Sequence, residues 1–138
     1  MMSPVTPSAD PLPPRARVLV VDDEPLIRWS VSETLRHEGY TVVEAGDAKS
    51  ALTAVNEGDS PFGVVVLDVR LPDSDGLSLL ARLRSAMPGA RIILMTAHGT
   101  PELADDALGL GAYCVISKPF GMAAIAEIVE QADDDRSA

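Results

Sequence analysis

Short runs of apolar residues recur along this chain, each followed by a longer stretch in which apolar positions return every three or four residues. The short runs are RVLVV (17–21), YTVVEA (40–45), FGVVVLD (62–68), RIILMT (91–96) and AYCVIS (112–117). Their lengths and β-branched content are those of strands, and unbroken apolarity such as GVVVL suits parallel strands buried on both faces. The helical period predicts helices over 25–38, 48–57, 76–86, 101–109 and 121–132, the first with Ile27, Val31 and Leu35 on one face. Pro25 and Pro101 fall where a first helical turn tolerates proline, Asp47 and Thr100 are placed as N-caps, and Gly39, Gly58 and Gly111 stand at helix exits.

Five βα units in succession, joined by right-handed crossovers, predict an α/β fold: an open parallel sheet with helices on both faces. In such sheets ligands bind beyond the carboxyl ends of the strands, where the strand order reverses. Residues 1–15 hold five of the eleven prolines and few large apolar side chains, so a disordered Pro-rich tail is expected there. One folded domain is expected over 16–132, and the closing DDDRSA, 133–138, as an acidic frayed tail.

With 138 residues, 46% of them hydrophobic and 23% charged, the chain fits a single soluble module. No apolar run is long enough to span a membrane, and MMSPVTPSADPLPPR lacks the basic and apolar regions of a secretory signal, so the expected location is cytoplasmic. Cys114 is the sole cysteine, which excludes an internal disulfide framework and a multi-cysteine metal site. A formal net charge of −10 without any Lys/Arg cluster argues against direct contact with nucleic acid. Any DNA target would then be reached through a partner.

The residues at the predicted strand ends carry the chemistry. VLVVDDEP crowds Asp22, Asp23 and Glu24 after the first strand, Asp68 ends the third, Thr96 ends the fourth, and Lys118 follows the fifth. Asp22, Asp23 and Asp68 at one edge form a hard-oxygen site suited to Mg²⁺, with Asp23 ligating directly and Asp22 mainly through water. A bound divalent ion relieves the repulsion of the acids. Asp68 beside it is placed as a nucleophile able to form an aspartyl phosphate. Lys118 would stabilise charge on the transferred phosphoryl oxygens, and the Thr96 hydroxyl would hydrogen-bond to them.

In this order VLVVDDEP, VVVLDVRLPDSDGL, IILMTAHG and GAYCVISKPF resemble the successive signatures of bacterial response-regulator receiver domains over about residues 17–132. IRWSV, DVRLPDSDGL and MTAH are most similar to receivers of the nitrogen-regulatory, enhancer-activating type. The resemblance implies a flavodoxin-like doubly wound sheet of strand order 2-1-3-4-5. It implies Asp68 as phosphoacceptor of a two-component or phosphorelay system, served by a sensor histidine kinase or a histidine phosphotransfer protein. It also implies the Arg70 backbone carbonyl as a metal ligand, Arg70 and His98 as residues that tune phosphoryl lifetime, and a cis bond before Pro119. A phosphorylation-dependent homodimer belongs to the same set of expectations, as does a downstream protein target.

One departure stands out. The position three before the lysine, usually aromatic in the family and a partner of Thr96 in switching, is Val115. Tyr113, two residues earlier, falls on the same side of a strand and is the substitute available. Trp29, offset from the buried stripe of the first helix, and Met122 and Ile125 of the last are the candidate partner surface. Asp73 and Asp75 fit loop and cap positions better than metal ligation. The chain is thus expected to be a self-phosphorylating switch and not an enzyme of metabolism. The alternative is a phosphorylation-independent interaction module of the same fold. An aspartate-nucleophile phosphatase would place an acid where Arg70 stands, and a dinucleotide enzyme would open its first helix with G-x-G-x-x-G, where acids stand.

Overall fold

The computed structural model describes residues 15–58 and 60–137. Five parallel strands form one sheet: β1 (Arg17–Val21), β2 (Thr41–Ala45), β3 (Val64–Asp68), β6 (Arg91–Thr96) and β7 (Cys114–Ser117), with β4 (Arg70–Leu71) and β5 (Ser74–Asp75) making a separate antiparallel ribbon. The sheet order β2-β1-β3-β6-β7 is the predicted 2-1-3-4-5 once the ribbon strands are set aside. The helices are α1 (Pro25–His37), α2 (Ala48–Glu57), α3 (Gly76–Ala86), α4 (Pro101–Gly109) and α5 (Met122–Ser137).

The sheet separates two apolar layers, as the unbroken apolar runs require. Leu19, Val21, Val65, Leu67, Ile92 and Leu94 face a layer closed by α2, α3 and Ala107 of α4, whereas Val18, Val20, Val64, Val66, Ile93 and Met95 face α1 and α5. β3 is buried along its whole length, and each large side chain so buried contributes about 1.5–3 kcal/mol.

The ends of the elements follow local chemistry. Asp47 and Thr100 cap α2 and α4 by accepting from the backbone N–H of Ser50 and Leu103. Gly39 and Gly111 close α1 and α4 with φ of +96° and +100°, which a side chain would resist. Three strands begin later than the apolar runs do: β2 at Thr41, β3 at Val64 and β7 at Cys114. Buried residues flank these starts, because Tyr40, Phe62 and Ala112 pack into the core without joining a ladder.

The largest difference lies at the end of α5, which continues to Ser137 through the segment expected to fray. Asp133 is buried there and accepts from the Ala16 backbone N–H at 3.2 Å, while Arg136 pairs with Asp133 at 2.8 Å. Arg15, assigned by its sequence context to the tail, hydrogen-bonds the Tyr40 hydroxyl at 3.0 Å. The rest of the expected N-terminal tail lies outside the described residues.

Candidate phosphoacceptor site

The carboxyl edge of the sheet gathers side chains from four strands. Asp22 directly follows β1, and its N–H still donates to Ala45 of β2 at 3.1 Å, so the carboxylate starts from a rigid ladder position. It is fully buried: one oxygen accepts from the Glu24 N–H at 2.9 Å, the other from Lys118 Nζ at 3.0 Å. Arg28 of α1 holds the Asp22 carbonyl at 2.8 Å and reaches Glu44 of β2 at 3.3 Å.

Asp68 ends β3, paired in register with Met95 of β6. One of its oxygens accepts from the Arg70 N–H at 3.0 Å and the other from Lys118 Nζ at 3.0 Å. The ribbon that follows is tied down. Asp73 accepts from the N–H groups of Ala48 and Lys49 at 2.8 and 3.0 Å, satisfying the start of α2, and Asp75 caps α3 through Ser78. Gly76 donates to the Val69 carbonyl at 2.7 Å, and a Cβ at Gly76 would lie 2.7 Å from that same oxygen. Only glycine permits this approach.

Thr96 is buried at the end of β6, and its hydroxyl accepts from the His98 N–H at 3.1 Å. Its carbonyl accepts from the Lys118 N–H at 2.7 Å, which fixes the start of the lysine loop, and the Lys118–Pro119 bond is cis. Lys118 Nζ thus lies within 3.0–3.1 Å of three carboxylates, those of Asp22, Asp68 and Glu24.

These groups disturb one another. Burial pushes the Asp22 carboxyl up to about 6, and the hydrogen bonds from the Glu24 N–H and Lys118 only partly oppose it. Burial works against charge on Lys118 too, but its bonds to Asp22, Asp68 and Glu24 outweigh that and hold its pKa above the usual lysine value. Carboxylate oxygens of Asp22, Glu24 and Asp68 all lie within 4.8 Å of one another, a spacing that suits a shared cation.

Asp22, Asp68, Thr96 and Lys118 therefore meet as their strand ends predict. Asp23 is exposed and stands outside this cluster, and Glu24 takes the third place. Glutamate is a poor N-cap, and Glu24 at the N-cap of α1 makes no side-chain capping bond. That mismatch between residue type and position is the sequence signal that its carboxylate serves something else. Arg70 and His98 are both exposed beside the site.

The outer residues divide. Val115 packs against the layer of α2, α3 and α4, but Tyr113 packs on the opposite one. The predicted shared face fails because β7 begins at Cys114, so strand alternation does not reach back to Tyr113; its hydroxyl instead donates to Asp135 of α5. Trp29 is 57% exposed and Met122 half-buried, whereas Ile125 is wholly buried. Ile125 is corrected from partner surface to core: with Val129 and Ala132 it forms the stripe that seats α5 on the sheet.

Residues 18–130 match the family model of the response regulator receiver domain. The chain belongs to this family. Among curated relatives, the probable transcriptional regulatory protein TcrX of Mycobacterium tuberculosis is 44% identical over 105 residues, covering 76% of this chain and 44% of that protein. The C4-dicarboxylate transport transcriptional regulatory protein DctD of Pseudomonas aeruginosa is 38% identical over 122 residues, covering 88% of this chain and 26% of that protein. The chain spans less than half the length of either. The solution structure of the beryllofluoride-activated NtrC4 receiver domain dimer superposes with a TM-score of 0.81 at 35% identity, over 87% of this chain and 98% of that one. Receivers of this family are phosphoacceptor signalling domains of two-component systems, and the relatives of this chain include the nitrogen-regulatory, enhancer-activating type. No helix among the described residues is long and apolar enough to cross a membrane.

Proposed function

We propose that this receiver accepts a phosphoryl group on Asp68 in a Mg²⁺-dependent reaction. The observation that carries the reading is the single buried edge at which Asp22, Asp68, Thr96 and Lys118 converge, with one ammonium shared by the carboxylates. The donor set is all hard oxygen, which fits Mg²⁺. Asp22, Asp23, Asp68 and the Arg70 carbonyl would hold it, the exposed Asp23 carboxylate turning inward to do so. When bound, such an ion would neutralise charge on these acids and on the incoming phosphoryl oxygens.

The donor is a phosphohistidine of a sensor kinase or a phosphotransfer protein. An Asp68 carboxylate oxygen bonds to phosphorus while the bond from phosphorus to the histidine nitrogen breaks, and the imidazole departs with that electron pair. Lys118 moves from carboxylate to phosphoryl oxygen, and the Thr96 hydroxyl, which has a proton to donate, engages another. Arg70 and His98 flank the path of attacking water and set the lifetime of the acyl phosphate. The chain is then a switch that catalyses its own modification and signals by protein contact, with Trp29 and Met122 on the partner surface.

Intact mass after incubation with acetyl phosphate tests this. One phosphoryl group is expected on the unsubstituted chain with Mg²⁺, and none with chelator or in Asp68→Ala. An unlabelled chain beside a labelled known receiver would favour the phosphorylation-independent module.

A further inference from the structure

Glu24 is the third carboxylate on Lys118, and its circumstances differ from those of the other two. Asp22 and Asp68 are buried and held by backbone N–H groups of Glu24 and Arg70, whereas the Glu24 side chain is 60% exposed, with Lys118 Nζ 3.1 Å from Oε1. It is not engaged in capping α1. Glu24 and Lys118 also share the wall of a cavity of about 360 Å³, completed by apolar groups including Ile27, Ala97, Phe120 and Met122. The ammonium therefore has both a partner on the outer side and a space to move toward it.

A divalent ion on Asp22 and Asp68 would compete with Lys118, because one oxygen of each carboxylate already accepts from a backbone N–H and the other from Lys118 Nζ. Moving an ammonium away from all its partners is costly at a buried edge, and keeping one partner lowers that cost. From this placement we infer that Glu24 is a positioning residue: it holds Lys118 on the cavity side while Asp22 and Asp68 bind the metal, and so makes the metal easier to admit. The inference rests on the metal-dependent reading proposed above.

Mg²⁺ binding by the full chain, measured by isothermal titration calorimetry without any phosphodonor, tests it in four proteins: unsubstituted, Glu24→Gln, Lys118→Met and the double variant. Glu24→Gln is expected to weaken binding by roughly threefold to fivefold, the scale of one screened ion pair. Lys118→Met should tighten it, since the competing ammonium is gone, and in that background Glu24→Gln should change nothing. An equal loss in both backgrounds would show Glu24 acting on the ion itself and overturn the positioning role. Binding unaltered by Glu24→Gln in the otherwise unsubstituted chain would overturn it too, and leave the metal site standing. If the unsubstituted chain binds no Mg²⁺, the metal-dependent reading falls, and the inference with it.

Discussion

The two edges of the sheet use similar residues in opposite ways. At the amino edge Arg136 pairs with Asp133, Asp133 also accepts from Ala16, Tyr113 donates to Asp135, Arg91 lies over the Tyr113 ring at 5.6 Å, and Arg17 lies over Phe62 at 4.5 Å. Each of these charged groups has a partner of its own, an opposite charge, a hydrogen-bond donor or a ring, and the α5 contacts tie that helix to the residues just before β1 and β7. At the carboxyl edge one ammonium serves three carboxylates, two of them buried. Matched charge closes a fold, whereas unmatched charge stores a demand that a ligand can meet. Local conflict of this kind is where function is expected to sit.

The sharpest way to break the contrast is to remove the ammonium. Lys118→Met leaves Asp22 and Asp68 facing each other without their common counter-charge, and the expected loss of stability in chelator is about 3 kcal/mol. Urea unfolding with and without Mg²⁺ checks this, because a divalent ion replaces the missing charge and much of the loss should return. A loss unaffected by Mg²⁺ would mean that Lys118 acts at this edge through packing.

Asp22→Asn should move stability the other way. The folded-state pKa of Asp22 is raised from 3.8 to about 6, so the folded chain takes up a proton before the unfolded chain does as pH falls. Its stabilising contribution is that of the protonated form, fully present below 3.8 and lost as pH rises through about 6. An amide is neutral throughout. In chelator the variant should gain on the order of 2 kcal/mol at about pH 7, and nothing near pH 4. A gain independent of pH would show that charge is not its cause.

Much of this arrangement was legible in the sequence, and the omissions share a cause. Apolar runs and helical periods carry element type and order, and strand ends locate Asp22, Asp68, Thr96 and Lys118, because topology brings every parallel strand's carboxyl end to one edge. Contacts between distant segments leave no such trace. DDDRSA looks solvated by composition, yet Asp133 reaches Ala16, 117 residues away, and the helix persists to Ser137. Glu24 is conspicuous as an acid at a helix N-cap, but it takes the cavity and Lys118 to show where its carboxylate goes. The Tyr113 assignment shows the limit of alternation, which holds inside a strand and fails one residue before it.

Tyr113 also gives the mildest test of the contrast between edges. It precedes Ser117, the residue paired with Thr96, by four positions, a separation on the order of 13 Å along a strand. Its hydroxyl faces Asp135 at the matched edge and not the phosphoacceptor edge. Tyr113→Phe should therefore lower stability by about 0.5 kcal/mol, the worth of one solvent-accessible hydrogen bond, and leave the rate of labelling by acetyl phosphate unchanged. Thermal unfolding and intact mass over time measure the two quantities. A slowed labelling rate would mean that the amino edge takes part in switching, and the division of labour between the edges would give way to coupling across the sheet.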